Sequence, residues 1–184
     1  VLSVRNGHTE EAAILRALSK ILRRMVDSSH DVVSLSEEME FVQMVLTIEQ
    51  FRFHGKLKYE FSISPEAQAR TVPVMSVQGL VENACKHGVQ NLSEQGFISV
   101  SARVDEGGAL VVEVADNGIG LKPARLKELL RQIQSPEDMN DSVGLQNIYR
   151  RLKLYYGATV ALELQGAPQR GTIARMRIPV QEGD

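Results

Sequence analysis

The sequence has one cysteine, no tryptophan and no strong excess of charge of either sign. Because a lone cysteine excludes an intrachain disulfide framework and fits a reducing compartment, Cys85 favours a cytoplasmic location. The formal net charge of −2 gives no long-range attraction for polyphosphate. Since the sequence also shows no local basic patch, we expect no nucleic-acid partner.

Long apolar runs, internal repeats and low-complexity tracts are also absent from the sequence. A membrane span needs about 20 consecutive apolar residues, so we expect this stretch of chain to make no membrane contact. It begins at Val1 without Met or a signal peptide, which suggests an excised piece whose membrane anchor lies outside it. The composition, 43% hydrophobic and 24% charged, is otherwise that of a globular protein.

Hydrophobic periodicity divides the chain near residues 54–56. Before this point, apolar residues recur at helical spacing over 10–28 and again over 35–53. The serine-to-glutamate spacing in 34–37 is that of a capping box, which marks the start of the second helix. We therefore predict a helical hairpin over 1–55, with an apolar stripe that packs against a second copy of the chain or against the domain that follows.

After residue 56 the pattern of strands and helices is typical of an α+β fold. Alternating apolar and polar residues predict strands near 57–63, 97–104, 109–115, 158–165 and 171–179. Helical periodicity predicts helices near 73–88, 123–134 and 144–156. Pro73 stands at a plausible first helical position. This order of elements predicts a two-layer α+β sandwich over 56–184, with a mixed, largely antiparallel sheet covered by helices.

The segment VENACKHG at 81–88 places polar side chains on the helix face opposite the apolar one. Asn83 and Lys86 are three residues apart and Glu82 and Lys86 are four apart, so they share this face. The Asn83 amide oxygen suits magnesium, which prefers oxygen ligands and shares them with phosphates, and Lys86 can neutralise phosphate charge. The alternative for Glu82 and Lys86 is an exposed helical ion pair.

The segment DNGIG at 116–120 comes directly after a predicted strand. Its carboxylate, Asp116, can accept a hydrogen bond from the exocyclic amine of adenine, where guanine presents a carbonyl instead. Gly118 and Gly120 permit close approach of the backbone. Taken alone, Asp-Asn-Gly is also an everyday turn.

The segment SVGLQN at 142–147 places Gly144 and Leu145 at the start of a helix. The unpaired N–H groups and positive dipole end of a helix start favour a triphosphate, and Arg150 and Arg151 could add charge. Taken alone, this is an ordinary glycine helix start. The three segments in this order, however, predict the walls of one ATP pocket.

With these residues in place, the chain closely resembles the GHKL ATPase superfamily and, within it, the catalytic region of LytS-type bacterial sensor histidine kinases. VPVMSVQGLVENACKHG (72–88) resembles the N box of that family, DNGIG its G1 box, GLQNIYRRL (144–152) its G2 region and GTIARMRIP (171–179) its closing strand. Residues 15–26 and 35–53 resemble its two dimerisation helices. The resemblance implies a truncated dimerisation and phosphotransfer region over 1–55 and an ATP-binding catalytic domain over 56–184.

The resemblance also implies a role for each residue that matches a family motif, with ATP and magnesium as cofactors. The implied roles are magnesium binding for Asn83, phosphate contact for Lys86 and His87, adenine binding for Asp116, the G1 loop for Gly118 and Gly120, the lid end for Gly144 and Leu145, and a place beside the base for Thr172. Glu82 is a candidate catalytic carboxylate, although related ATPases carry theirs elsewhere on this helix.

The activity that the resemblance implies is transfer of the γ-phosphoryl group of ATP to a histidine, for relay to an aspartate of a response regulator. In the family, that histidine lies in an H-F-[LIV]-[FY]-N element, and none of the four histidines here has this context. We therefore expect the chain to bind ATP without autophosphorylating, as the intracellular part of a membrane-anchored homodimeric sensor. The alternatives are a non-catalytic nucleotide-sensing or dimerisation module and a GHKL-type ATPase of another class.

The polar, proline-containing segment 135–142 has the character of a lid over bound nucleotide. We expect amide hydrogen exchange across 135–143 to slow when a non-hydrolysable ATP analogue binds, because a closed lid shields its backbone from water. Equal exchange rates with and without the analogue would contradict this prediction.

Overall fold

The computed structural model describes residues 31–90, 92–134 and 143–180, together with Leu15 and Ser19. Apart from those two positions, the predicted first helix over 10–28 lies outside the described residues, and so does the predicted lid over 135–142. The hairpin and the lid therefore remain predictions.

The described residues form a mixed five-stranded sheet, a short two-stranded sheet and a set of helices. The strands are β1 (Val32–Ser34), β2 (Leu57–Ile63), β3 (Thr71–Pro73), β4 (Gly96–Val104), β5 (Leu110–Asp116), β6 (Ala161–Gly166) and β7 (Thr172–Ile178). The α-helices are α1 (Leu35–Arg52), α2 (Pro65–Gln68), α3 (Ser76–Asn83), α4 (Pro123–Gln134) and α5 (Val143–Tyr156). A π-helical segment, Ala84–Val89, continues α3, and the 3₁₀ turn Gly157–Thr159 follows α5.

The large sheet has the strand order β2-β4-β5-β7-β6. β2 pairs with β4 in parallel, and the other neighbours pair antiparallel. The pairing of β5 with β7 places Asp116 directly opposite Thr172. The predicted α+β sandwich with a largely antiparallel sheet is therefore confirmed.

The two faces of the sheet differ in polarity because side chains alternate along each strand. The inner face is apolar and largely covered, with buried residues that include Ile98, Val100, Val112, Leu164 and Met176. On the outer face, Arg175 contacts the carboxylates of Glu113 at 2.6 Å and Glu163 at 3.5 Å. These three residues are direct cross-strand neighbours, so the ion pairs follow from the register.

The helix α1 begins with the predicted capping box. The Ser34 hydroxyl accepts a hydrogen bond from the Glu37 N–H at 3.2 Å, and the Glu37 carboxylate accepts one from the Ser34 N–H at 2.9 Å. The buried side of the helix belongs to the same apolar cluster as the sheet, through Leu35, Met39, Val42 and Leu46. Packing therefore crosses the predicted boundary at 54–56, where the chain makes a turn with positive φ at His54 and Gly55.

The start of α3 differs from the prediction. Pro73 does not open a helix but ends β3, where it pairs with Val32 of β1. Its partner strand β1 is three residues long, too short to show a strand periodicity, and the fixed φ of proline is also compatible with an edge strand. The helix begins three residues later at Ser76, after Met75 has adopted a left-handed φ of 62°.

Among the described residues, no helix combines the length and apolarity needed to cross a bilayer.

Replacing Leu46 tests whether α1 is part of the same core as the sheet. Leu46 is fully buried, so Leu46→Ala should lower the free energy of unfolding by about 2–5 kcal/mol. The control is Gln43→Ala, an exposed position on the same helix, which should change it by less than about 0.5 kcal/mol. Urea unfolding measures both, and equal stabilities of the two variants would contradict the shared core.

Candidate functional site

The first wall of the site is formed by α3 and the π segment that continues it. The predicted apolar side of this stretch is buried, with Val77, Leu80, Val81, Ala84 and Cys85 in the core. The polar side carries Glu82 and Asn83, which are partly exposed, and Lys86 and His87, which are exposed. A π segment displaces the residues after it relative to a regular helix and is frequent at functional sites.

Glu82 and Lys86 form the ion pair that the sequence offered as an alternative. The Lys86 ammonium lies 2.9 Å from one oxygen of the Glu82 carboxylate, and the Gln78 amide donates to the other. Both charged side chains are substantially exposed, at 52% for Lys86 and 39% for Glu82, so the pair adds little to stability. Lys86 is therefore held beside the site by a weak contact that a phosphate can replace.

Asn83 connects the first segment to the third. Its amide nitrogen donates to the Gly79 carbonyl at 2.8 Å, which leaves the amide oxygen as the atom able to ligate a cation. A Cβ atom at Gly144 would lie 3.6 Å from both polar atoms of the Asn83 side chain. The described residues contain no cluster of His, Cys, Asp or Glu suited to a metal. A magnesium ion here would therefore depend on nucleotide phosphates for its other ligands, as this ion commonly does.

The helix α5 runs antiparallel to α3 and packs closely on it. A Cβ at Gly79 would come within 2.8 Å of the Ile148 side chain, so glycine permits this approach. The guanidinium of Arg151, which could add charge near the phosphates, donates to the carbonyl of Val74, before the start of α3. That carbonyl lies at the opposite end of α3 from Asn83 and Gly144.

Asp116 ends β5 with its carboxylate braced by the backbone. One oxygen accepts a hydrogen bond from the Gly118 N–H at 2.8 Å, and the Thr172 N–H also donates to the group. Burial raises the pKa of the Asp116 carboxyl above its ordinary value, while these two donors act in the opposite direction. A Cβ at Gly88 would lie 2.5 Å from this carboxylate, so the π segment borders Asp116 directly.

Three stretches of backbone meet at Gly118. A Cβ there would lie 2.2 Å from the Gly88 carbonyl carbon and oxygen, so only glycine fits. The Gly88 carbonyl also accepts from the Ile119 N–H at 3.2 Å, and the Gly118 carbonyl accepts from the Gly171 N–H at 3.1 Å. The π segment, the loop after β5 and the turn before β7 are thus fastened together by main-chain contacts.

The structure places the three sequence segments beside one another. Asn83 borders Gly144, Gly88 borders Asp116, and Asn83 and Gly88 lie on one continuous helical stretch. Other predicted residues lie around this arrangement: Gly120 with a φ of 67°, Leu145 buried at the start of α5, and Thr172 opposite Asp116. The roles assigned to these residues remain predictions.

Comparison with known families agrees with this arrangement. Residues 73–182, more than half of the chain, match the family described as histidine kinase-, DNA gyrase B-, and HSP90-like ATPase. The chain belongs to this ATPase family. Residues 1–57 match a second family, described as histidine kinase. The matches support a sensor histidine kinase catalytic region, and they leave the LytS-type subtype as a prediction.

Individual relatives of this ATPase domain are sensor kinases. Sensor protein kinase HptS of Staphylococcus aureus is 28% identical over 171 residues, which is 93% of this chain and 32% of HptS. The chain thus spans about a third of the length of the curated relatives that it matches. Two solved structures share the fold at low identity, and the first is a histidine kinase domain from Erythrobacter litoralis EL346 (TM-score 0.55, 17% identity, 92% of this chain and 74% of that one). The second is histidine kinase AdeS of Acinetobacter baumannii (TM-score 0.56, 13% identity, 98% and 82%).

Sequence reasoning missed three residues that build the site of this ATPase domain. Gly88 was interpreted only as a helix end, although it borders Asp116, and Gly171 lies so close to Asp116 that a Cβ would come within 1.8 Å of the Asp116 carbonyl oxygen. Asn117 joins the loop to β4, because its side chain accepts from the Phe97 N–H at 2.7 Å and donates to the Gln95 carbonyl at 3.0 Å. For Gly88 and Gly171, the glycine itself was the signal in the sequence, because glycine permits a close approach of backbones.

Cys85, on the buried side of the same helical stretch, should be chemically inert in the folded ATPase domain. Burial raises the pKa of its thiol to about 12, so almost no reactive thiolate forms at about pH 8. We expect no modification by a thiol reagent in the native protein and full modification in guanidinium chloride. Rapid stoichiometric labelling of the native protein would contradict this placement.

Proposed function

We propose that the chain is the ATP-binding catalytic core of a two-component sensor histidine kinase of the LytS type. The observation that carries this proposal is the convergence of three segments on one side of the fold, with Asp116 braced at one end and Asn83 facing Gly144 at the other. The match of residues 73–182 to an ATPase family and of residues 1–57 to a histidine kinase family supports it.

In this proposal, Asp116 recognises adenine. The Gly118 and Thr172 N–H groups hold the carboxylate in one orientation, so it accepts the exocyclic amine of adenine without reorganising. Guanine presents a carbonyl at the same position, which a carboxylate repels. Thr172 pairs directly with Asp116 and would lie beside the base.

The triphosphate would extend from this base toward Asn83 and the start of α5. The amide oxygen of Asn83 would hold magnesium, which supplies charge neutralisation between phosphate oxygens when bound. Lys86 and His87 project from the exposed side of the π segment and would contact phosphate. The N–H groups at Gly144 and Leu145 add the positive end of the α5 dipole.

Catalysis in this proposal consists of positioning and charge stabilisation. The chain holds the γ-phosphoryl group in line with an acceptor imidazole, whose nitrogen attacks the phosphorus as ADP leaves and later passes the phosphoryl group to an aspartate of a response regulator. Glu82 is proposed to act through Lys86, because its carboxylate holds that ammonium beside the site until phosphate replaces it. The acceptor histidine would come from outside the motifs seen here.

The whole protein is proposed to be a membrane-anchored homodimer with this chain on its intracellular side. The response regulator would be its partner, and the region over 1–55 would supply the dimer contact. A non-catalytic nucleotide sensor, or an ATPase of another class within the family, would share the same cleft. Phosphoryl transfer from ATP to a separately supplied hairpin carrying the acceptor histidine separates these functions, because neither of the other two performs it.

The substitution Asp116→Asn should weaken binding of the nucleotide. The Asp116→Asn amide turns a donor toward either the adenine amine or a backbone N–H, so affinity for an ATP analogue should fall about 10- to 100-fold. Asp105→Asn is the control, because that carboxylate also accepts backbone N–H bonds in a turn but lies at the other end of β5. Calorimetry showing wild-type affinity in the Asp116→Asn protein would refute the adenine assignment.

Asn83→Ala should remove magnesium-dependent phosphoryl transfer to the separately supplied hairpin, because the Asn83 amide oxygen would hold the magnesium ion.

The affinity should also depend on pH through Asp116. Only the ionised carboxylate accepts from both the backbone and adenine, and burial raises its pKa, so affinity should fall as pH drops through that raised value. The effect on stability has the opposite sign, because the folded state holds this proton more readily than the unfolded state and gains stability as pH falls. Binding titrations in the wild type should show this decline, whereas Asp116→Asn should lack it.

A further inference from the structure

The fully buried carboxylate of Glu38 caps a helix other than its own. Glu38 lies in the first turn of α1 and is 0% exposed. One of its oxygens accepts the Met75 N–H at 3.1 Å, and the other accepts the Gln78 N–H at 3.2 Å. Both donors belong to the start of α3, the helix that carries Asn83. A residue of α1 therefore satisfies N–H groups that a helix start leaves without partners.

The helix α3 has no such cap of its own. Met75 precedes it in a left-handed conformation and supplies no side-chain hydrogen bond. The hydroxyl of Ser76, a residue type that often caps helices, donates instead to the Pro73 carbonyl at 2.7 Å. Gly79 weakens α3 as a helix former, and the stretch continues as a π segment rather than as a regular α-helix. Its placement depends on contacts from neighbouring elements.

The element that packs most extensively on α3 is α1. Glu38 holds the first turn of α3. Farther along α1, burial raises the pKa of the Glu49 carboxyl, and the charges of Arg52, Glu82 and Lys86 also act on it. The helix α1 lies within the region that matches the histidine kinase family.

We propose that Glu38 is a positioning residue through which α1 sets the orientation of α3, and thereby presents Asn83 to magnesium-bound nucleotide. This inference rests on the proposed function and extends it, because it makes the affinity for magnesium–nucleotide depend on a residue outside the three motifs. A displacement of α1 would reach Asn83 through the Glu38 carboxylate. Adenine binding at Asp116, which is carried by β5, would be affected less.

The variant Glu38→Gln tests this role. Its single amide oxygen accepts only one of the two N–H groups, and its amide nitrogen opposes the other. Glu38→Asp keeps the charge but is one methylene too short to reach both donors, and it serves as a second, milder variant. Glu40→Gln makes the same chemical change at an exposed position of α1. Ile178→Ala weakens the core at the far end of β7, because Ile178 is 2% exposed and lies opposite Leu110.

The readout is the gain in affinity for an ATP analogue when magnesium is added, compared with the affinity in EDTA. We expect both Glu38 variants to reduce this gain, Glu38→Gln by at least about fivefold, the lower end of typical coupling between sites. Affinity in EDTA should stay within about twofold, and the two controls should change neither quantity. A purely structural cap would lower both affinities together, so an unchanged magnesium gain in folded Glu38→Gln would overturn the inference.

Amide hydrogen exchange without nucleotide provides a readout that does not depend on the proposed function. Glu38→Gln should accelerate exchange over 79–89, beyond the capped turn. The acceleration should exceed that in Ile178→Ala when the two variants are compared at equal free energy of unfolding. Acceleration confined to 75–78, or equal in the two variants, would overturn the positioning role. If the wild-type chain bound no nucleotide, the proposed function would fail, and this exchange pattern would still decide whether Glu38 positions α3.

Discussion

The close approach of two glycine backbones, Gly88 and Gly118, is the contact on which the rest of the site depends. It leaves no room for a Cβ at Gly118, and it holds the end of the π segment against the loop that follows β5. Asp116 is fixed by the same contact, since its carboxylate lies against Gly88 and accepts from the Gly118 N–H. The end of the π segment and the strand that carries Asp116 therefore form one unit.

The scaffold around this unit is rigid where the site needs it. The sheet buries most of its inner face beneath the helices, and its outer face is joined across strands by the ion pairs of Arg175 with Glu113 and Glu163. The helices α1 and α5 enclose α3 from two sides, through the Glu38 carboxylate and through the packing of Ile148 on Gly79. The contacts with α1 and α5 thus hold α3, a weak helix former, in place beside the site.

Much of this could be predicted from the sequence, because periodicity and capping are local properties. The alternation along β4 and β5, the capping box at Ser34 and the buried side of α3 follow from residues close in the chain. The contacts that were missed join distant residues. Glu38 is 37 residues from Met75, and β1 forms only because β3 is available as its partner. The prediction of a helix start at Pro73 was wrong because proline suits both a first helical turn and an edge strand, and its partner strand β1 is distant in the sequence.

Amide NMR during titration with a magnesium-bound ATP analogue shows whether the three segments bind one nucleotide together. If they do, the N–H signals of Gly88, Gly118, Gly144 and Thr172 shift along one binding curve that saturates at one nucleotide per chain. Shifts confined to one segment, or separate curves for different segments, would mean that no common nucleotide site exists.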